Sequence, residues 1–131
     1  MTKKKASAYI FIFNQKNELL LQLRSSQDDS YPLHYDCSAA GGIHEGEDPE
    51  LAAKRELKEE LGVEADLTFL REDEYEGAKM YIYVTHVSGG FNIGKEVESV
   101  RFASFKEINE MIENKEKFHP EFPYLFRRLF G

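Results

Sequence analysis

The chain has 131 residues, the length of one ordinary domain, and its composition of 41% hydrophobic and 31% charged residues is sufficient for a folded core. Its 17 Lys and Arg against 24 Asp and Glu give a net charge of −7, which disfavours binding to a nucleic-acid backbone or to anionic lipid. The single cysteine, Cys37, excludes an internal disulfide and any zinc site built from several cysteines. We therefore expect one domain over residues 1–131 in a reduced, cytoplasmic setting.

The N-terminal segment predicts a strand rather than a targeting signal. Lysines at residues 3–5 precede the apolar run Ala8–Phe13, a pattern that loosely mimics a signal peptide. The run is too short to span a membrane, and the polar stretch Asn14–Asn17 follows it without a small-residue cleavage site. Because Ser7–Phe13 and Glu18–Leu23 are apolar and flank this polar turn, they predict two strands.

A loop and a short strand come next in the chain. Residues Arg24–His34 are polar and rich in turn-forming residues, which predicts a loop. Tyr35–Ala39 predicts a short strand that enters the pair Gly41–Gly42. Two adjacent glycines allow the backbone to come close to a ligand or metal, so Gly41 and Gly42 are candidate substrate-binding residues.

The segment Pro49–Leu61 is predicted to be a helix with defined ends. Asp48 is suited to the N-cap and Pro49 to the first helical position. Gly62 is suited to a left-handed C-terminal cap, which lets Val63 pack back on the last turn.

The second half of the chain predicts three strands followed by two helices. Ser104–Glu107 has the pattern of a capping box, which marks the start of a helix that extends to about Glu113. The other predicted elements are strands at Ala65–Leu70, Lys79–Val87 and Val97–Ala103, a loop at Gly89–Gly94, and a helix at Phe122–Phe130. Strands and helices in this order predict a mixed α/β or α+β sandwich.

An acidic arc on the helix Pro49–Leu61 is the main candidate for chemistry. One apolar stripe of this helix has a spacing of four residues and consists of Ala53, Leu57 and Leu61. Glu56, Glu59 and Glu60 fall beside that stripe within an arc of about 100°. Carboxylates so close need a counter-charge to stay ionised when partly buried, and Lys54 and Lys58 point elsewhere. Mg²⁺ or Mn²⁺ would provide that charge; the alternative is a solvated helix face.

The residues around this arc resemble the complete Nudix box of the Nudix hydrolase superfamily. The matching pattern is Gly41-x5-Glu47-x7-Arg55-Glu56-Leu57-x-Glu59-Glu60-x-Gly62-Val63. The resemblance implies an α+β fold, an α/β/α sandwich with a mixed β-sheet between helices. It also implies hydrolysis, dependent on Mg²⁺ or Mn²⁺, of a nucleoside diphosphate linked to another group or of a similar small diphosphate. Homodimers are frequent among similar proteins, so a second copy is a candidate partner.

The resemblance also assigns roles to the residues of the box. Glu59 and Glu60 would bind the metal. Glu56 would share in metal binding or act as the base that activates water. Arg55 would hold the carboxylates in place by ion pairing, and Glu47 would support the helix start or contact metal through water.

Further site residues are expected outside the helix. The backbone around Ala40–Gly41 would offer a carbonyl ligand, with Gly42 beside it on the substrate side. Many Nudix enzymes recruit one more acid from a later loop, for which Glu96 is the first candidate and Glu98 the second; the alternative is a solvated loop acid. Arg24 occupies a position where relatives often place a basic residue near the phosphates, and the alternative is a plain surface arginine.

Within the superfamily, the chain looks most like the isopentenyl-diphosphate-isomerase-like branch, which includes both isomerases and hydrolases. The segments that carry this likeness are Leu19–Ser25, Tyr31–Pro32 and Asp36–Gly42. True isomerases use a cysteine and, two residues later, a metal-binding histidine, and these positions align with Ala40 and Gly42. Cys37 lies three residues too early, so we expect a buried structural thiol and a hydrolase. The alternatives are an isomerase and a Nudix binding domain without catalysis.

Three aromatic or histidine features remain open. His44 in the box loop either faces substrate or belongs to the polar surface. The Tyr and Phe residues include a candidate base-stacking pair, although the absence of Trp means that most must fill the core. The segment Phe118–Pro123 is either a substrate-side loop or a connector whose prolines prevent a helix.

Overall fold

Ten secondary-structure elements are present in residues 6–131, the part of the chain that the computed structural model describes. The lysines at residues 3–5 lie outside it. The elements are β1 Ser7–Phe13, β2 Leu19–Arg24, β3 Tyr35–Asp36, β4 Ala39–Gly42, α1 Pro49–Leu61, β5 Thr68–Tyr75, β6 Ala78–His86, β7 Val97–Ala103, α2 Phe105–Glu113 and α3 Glu121–Phe130. No helix in this range is long and apolar enough to cross a membrane.

The strands form one mixed sheet with β1 near its middle. The strand order is β3-β2-β1-β6-β5, with β4 paired to β1 and β7 paired to β2. β1 and β6 run parallel, from the Ser7–Met80 pair to the Phe13–His86 pair. The remaining pairs of these strands are antiparallel.

The apolar side chains of β1 point alternately to the two faces of the sheet, so each face needs a helix to cover it. Ile10 and Ile12 point to the face on which α1 packs, with Leu57 and Leu61 of that helix. Phe11 points to the other face, where its ring lies among the side chains of α2 and α3, including Ile108, Phe122 and Phe126. The predicted α+β sandwich, with a mixed sheet between helices, is confirmed.

Helix α1 has the predicted bounds and caps. The Asp48 carboxylate accepts hydrogen bonds from the amides of Glu50 and Leu51 at 3.1 and 3.3 Å. Gly62 adopts φ 67° and donates its amide to the Lys58 carbonyl. Both ends of the helix are therefore fixed, which fixes the direction in which each glutamate of the acidic arc points.

Two predicted strands differ from the observed ones. The strand expected at Ala65–Leu70 begins only at Thr68 and continues to Tyr75, as an edge strand with mostly polar or exposed residues. A tight turn at Glu76 and Gly77, both with positive φ, joins it to β6. The strand expected at Tyr35–Ala39 is divided into β3 and β4, and β4 includes Gly41 and Gly42.

Candidate active site

A polar cleft of about 310 Å³ lies where the ends of β2, β3 and β4 meet α1. Its lining residues are Ser7, Tyr9, Gln22, Arg24, Asp28, Asp36, Cys37, Ala40, Gly41, Gly42, Glu60, Glu96, His119 and Glu121. The cleft therefore brings together several residues predicted for the site, which are far apart in sequence: Arg24, Gly41, Gly42, Glu60 and Glu96. Five carboxylates against one arginine make it strongly acidic.

Arg55 connects the carboxylates beside this cleft. Its Nε and Nη2 donate to the two carboxylate oxygens of Glu47 at 3.0 and 2.9 Å. Its Nη1 donates to Glu56 Oε1 at 2.7 Å and lies 3.6 Å from Glu59 Oε2. A further hydrogen bond joins Nη2 to the Gly42 carbonyl at 3.0 Å. The hydrogen bonds from Arg55 lower the pKa of Glu47 to about 2, and those carboxylates raise the pKa of Arg55.

The Glu56 carboxyl group packs directly against the backbone of β4. A Cβ atom built at Gly41 would overlap the carboxyl carbon of Glu56 and would lie 2.5 Å from its Oε2. Only a residue without a side chain leaves room for this carboxylate, so the requirement for glycine at position 41 is steric. The structure thereby brings the Gly41 backbone and the Glu56 carboxylate into contact.

Glu60 is buried beside Glu56 and is held by polar groups of the sheet. The amide nitrogen Nε2 of Gln22 donates to Glu60 Oε1 at 2.8 Å, and the backbone amide of Ala40 approaches the same oxygen at 3.4 Å. Burial and a hydrogen bond shared with Glu56 raise the pKa of Glu60, because a second negative charge at this point is unfavourable. Gln22 also donates to the Ser38 carbonyl at 3.0 Å, which fixes its orientation.

Within the acidic arc, Glu59 differs from Glu56 and Glu60 because its side chain points to solvent. Its side chain is 59% exposed, whereas Glu56 and Glu60 are buried. Within residues 6–131, no three His, Cys, Asp or Glu side chains converge closely enough to hold a metal ion in this geometry. The donor chemistry nevertheless suits a hard divalent cation, because the two buried carboxyl groups of Glu56 and Glu60 lie side by side, where a cation would relieve their repulsion.

The loop before β7 attaches the Glu96 segment to the end of α1. The Asn92 amide donates to the Leu61 carbonyl at 2.7 Å, and the Gly94 amide donates to the Glu60 carbonyl at 2.9 Å. Glu96 lines the cleft. The second candidate acid, Glu98, is not a lining residue; its Oε1 accepts a hydrogen bond from the Ser26 amide at 3.2 Å.

Arg24 lies in the cleft with its guanidinium already engaged. Its Nη1 donates to Asp36 Oδ2 at 3.1 Å, and its Nη2 lies 3.1 Å from Asp28 Oδ2. Nε and Nη2 also donate to the Ser30 carbonyl. This side chain is only 19% exposed and ties the Arg24–His34 loop to β3, and its role beside the phosphates stays a prediction.

Cys37 is buried, and its thiol donates to the Ala39 carbonyl at 3.2 Å. Burial, followed by the charges of Asp36 and Glu60, raises the pKa of this thiol. A neutral, hydrogen-bonded thiol is the state that a structural cysteine adopts. His44 lies outside the lining of the cleft, 70% exposed and 3.8 Å from Glu47.

Sequence reasoning did not single out three of the polar lining residues, Gln22, Asp28 and Asp36. It included His119 and Glu121 only as part of the segment Phe118–Pro123, which it left open as a substrate-side loop or a connector. Gln22 and Asp36 face each other across the β2–β3 pair. His119 reaches the cleft because its amide donates to the Tyr35 carbonyl at 2.8 Å. The prediction that prolines prevent a helix in the segment Phe118–Pro123 is wrong for its second half, because Pro123 lies in the first turn of α3, where a missing amide donor is tolerated. Only the tertiary contact with β3 shows where the segment lies.

The comparisons with known proteins agree with this fold and show its family. A family model for the NUDIX domain matches residues 3–126. An uncharacterized Nudix hydrolase of Listeria monocytogenes is 35% identical over 121 residues, which cover 87% of this chain and 71% of the relative. Nudix hydrolase 3 of Arabidopsis thaliana is 37% identical over 95 residues, 72% of this chain and 12% of that protein. The chain belongs to the Nudix hydrolase family.

Two solved structures show the same fold at lower sequence identity. DR0079 from Deinococcus radiodurans superposes with a TM-score of 0.91 at 21% identity, covering 98% of this chain and 85% of that one. An Ap4A hydrolase from C. elegans superposes with a TM-score of 0.65 at 22% identity, covering 93% of each chain. At these identities, the likeness concerns the architecture.

Proposed function

We propose that this protein is a Mg²⁺- or Mn²⁺-dependent hydrolase that cleaves a diphosphate linkage by attack of water on phosphorus. The substrate is a nucleoside diphosphate linked to another group, or a similar small diphosphate. The observation that carries the proposal is the buried pair Glu56 and Glu60. Glu60 lines the cleft, and Glu56 is held by Arg55 at 2.7 Å.

The metal would be held by Glu56, Glu59 and Glu60. Glu47, Glu96 and a backbone carbonyl of Ala40–Gly41 are the proposed additional oxygen donors around it. Bound there, the cation would neutralise phosphate charge and lower the pKa of water. A rotation of the exposed Glu59 side chain is required to bring it to the buried pair, and its 59% exposure leaves it free to turn.

The protein's own groups orient the reaction and move its proton. The Glu56 carboxylate is the proposed base, because Arg55 and the Gly41 backbone fix its position. The oxygen of water forms a bond to one phosphorus while the bond from that phosphorus to the bridging oxygen breaks. The proton lost by water passes to a carboxylate, and the leaving phosphate keeps the bridging oxygen with its electron pair. Arg24, Gly41 and Gly42 are the proposed contacts to the phosphates.

We assign the chain to the isopentenyl-diphosphate-isomerase-like branch as a hydrolase. The choice of a hydrolase over an isomerase is supported by Ala40 and Gly42, which align with the cysteine and the histidine of true isomerases. Cys37 is engaged with the Ala39 carbonyl. The three intact glutamates also argue against a Nudix domain that binds without catalysis.

Hydrolysis in ¹⁸O-labelled water tests the reaction. A screen of diphosphate substrates with Mg²⁺ and with Mn²⁺, read by mass spectrometry, should place one labelled oxygen on a phosphate product and leave the carbon skeleton unchanged. An unlabelled, isomerised allylic diphosphate would show that the protein is an isomerase.

Titration calorimetry with Mn²⁺ tests the proposed ligands. The double variant Glu59→Gln, Glu60→Gln should lose most of the wild-type affinity, because neutral amides replace two anionic donors. Glu50→Gln is the matched control, since Glu50 lies on the same helix and pairs with Lys54 at 3.5 Å. Equal Mn²⁺ affinity in the double variant and the control would refute the ligand assignment.

A further inference from the structure

The segment before α3 brings two polar side chains into the cleft that the proposed mechanism does not use. The Tyr35 amide donates to the Lys117 carbonyl at 2.9 Å, and the His119 amide donates to the Tyr35 carbonyl at 2.8 Å. These two bonds attach the segment to β3 in the manner of an added strand. His119 and Glu121 consequently line the same cleft as Glu60.

The side chains of His119 and Glu121 each have a hydrogen-bonding group without a partner in the described part of the chain. The Glu121 amide donates to His119 Nδ1 at 3.4 Å, so in the neutral ring Nε2 carries the proton and remains a donor. Within residues 6–131, no protein hydrogen bond or ion pair engages His119 Nε2 or the Glu121 carboxylate. Burial raises the pKa of Glu121, and burial lowers the pKa of His119 against the opposing charge of Asp36.

The imidazole of His119 is held in place by an aromatic neighbour. The Tyr31 ring lies 4.7 Å from it, centroid to centroid, at an interplanar angle of 62°. Tyr31 also packs edge-on against His34 at 5.4 Å and is 42% exposed. An edge-to-face contact restricts rotation of the imidazole, which fixes the direction of the His119 Nε2 donor.

We infer that His119 and Glu121 form a specificity site for a hydroxyl-bearing group attached to the diphosphate. His119 Nε2 donates to one hydroxyl oxygen, and the Glu121 carboxylate accepts from another hydroxyl. A polyol or sugar fits, because each of its hydroxyls both donates and accepts. A hydrocarbon substituent does not fit, since it would remove water from the carboxylate without replacing the lost hydrogen bonds. The inference rests on the proposed function, because it concerns the non-phosphate part of the same substrate.

The experiment has to distinguish a specificity role of Glu121 from a purely structural one. An acid in the first turn of α3 stabilises that helix through its dipole. Such a role affects stability and acts equally on all substrates. A specificity role instead changes the preference between a polar and an apolar substituent, mainly through KM.

The test uses two diphosphate monoesters with the same five-carbon skeleton, ribitol 5-diphosphate and pentyl diphosphate. Phosphate release should give the wild type a preference for the ribitol ester of about tenfold or more in kcat/KM, the value of one hydrogen bond of about 1.4 kcal/mol. Glu121→Leu should remove most of that preference, because KM rises for the ribitol ester and falls for the pentyl ester once there is no carboxylate for the hydrocarbon to desolvate.

Two further variants complete the design. Glu121→Gln replaces the carboxylate with an amide whose oxygen still accepts a hydrogen bond, so it should retain part of the preference even if Glu121→Leu fails to fold. Glu116→Leu is the matched control, because Glu116 is exposed and lies outside the cleft lining. Thermal unfolding of each variant reports any effect on α3.

The outcomes separate the inference from the proposed function. If the wild type releases phosphate from both esters equally, or if both Glu121 variants slow both esters by one factor, the specificity site is wrong and the hydrolase remains. If neither these esters nor any other diphosphate releases phosphate with Mg²⁺ or Mn²⁺, the proposed function itself fails.

Discussion

Replacement of Gly41 by alanine should leave the protein folded but lower its rate of hydrolysis. The added Cβ would overlap the carboxyl group of Glu56, with Oε2 at 2.5 Å. Gly41 lies in β4 and is not among the glycines with positive φ, so the backbone itself accepts alanine. The group that must move is the end of a flexible side chain, which costs little in packing but displaces the proposed base.

The size of each effect follows from the contacts that are lost. Moving the Glu56 carboxylate breaks its 2.7 Å hydrogen bond with Arg55, which lowers the free energy of unfolding by about 1.5–3 kcal/mol for a charge-assisted bond. A displacement of about 1 Å in a catalytic group costs about 100-fold in rate. Gly41→Ala should therefore stay folded while its kcat falls about 100-fold.

Thermal unfolding, Mn²⁺ calorimetry and phosphate release together measure the effect. Gly42→Ala is the steric control, because a Cβ at the adjacent position meets no atom within 4 Å. Its unfolding temperature and Mn²⁺ affinity should match the wild type. Wild-type turnover in Gly41→Ala would refute the assignment of Glu56 to the reaction. An unfolded Gly41→Ala would refute the expectation that the Glu56 side chain moves while the backbone stays in place.

Three other predictions concern separate parts of the molecule. Arg55→Lys should lower turnover about tenfold or more and weaken Mn²⁺ binding, because a lysine cannot reproduce the paired hydrogen bonds to Glu47 together with the one to Glu56; unchanged kinetics would contradict it. Asp73→Asn should lower the free energy of unfolding by about 1–2 kcal/mol near pH 7. Burial raises the pKa of Asp73, but hydrogen bonds from Arg128, the Glu74 amide and Arg71 lower it more, so this stabilisation exists above the pKa of an unfolded aspartate and disappears as the pH falls through the folded value. Melts of both proteins over pH 2–7 should therefore converge in acid, and a gap that stays constant with pH would count against the ion pairs. Cys37→Ser should keep turnover, with at most a small loss of stability; loss of turnover with intact folding and Mn²⁺ binding would favour the isomerase.

Local chemistry explains which elements of the fold were predictable. Asp48 and Gly62 set the ends of α1 through their own side chain and backbone, so the sequence around them was sufficient. The strand β5 was misplaced because it lies at the sheet edge, where Arg71, Glu72 and Glu74 give no apolar alternation. Its register depends on pairing with β6, which is a tertiary property.

In the candidate site too, local sequence predicts some positions and tertiary contacts determine the others. The glutamates of α1 share one helix, so spacing alone places them near each other. The orientation of Glu60 depends on Gln22, which lies on β2 and has no motif around it. His119 depends on a backbone bond to Tyr35 from a distant part of the chain. Contacts of this kind arise only when distant parts of the chain come together in the folded sheet, and no short sequence pattern encodes them.

The parallel pairing of β1 with β6 has a consequence for synthesis. β1 is the strand on which β2, β4 and β6 all pair, yet its parallel partner, Ala78–His86, lies in the second half of the chain. On the ribosome, β1 and β2 emerge early with one long edge of β1 unpaired. Non-local pairing of this kind folds slowly and leaves apolar surface exposed meanwhile. The Phe11 and Ile12 region should therefore be the main aggregation risk of the nascent chain until His86 has left the exit tunnel.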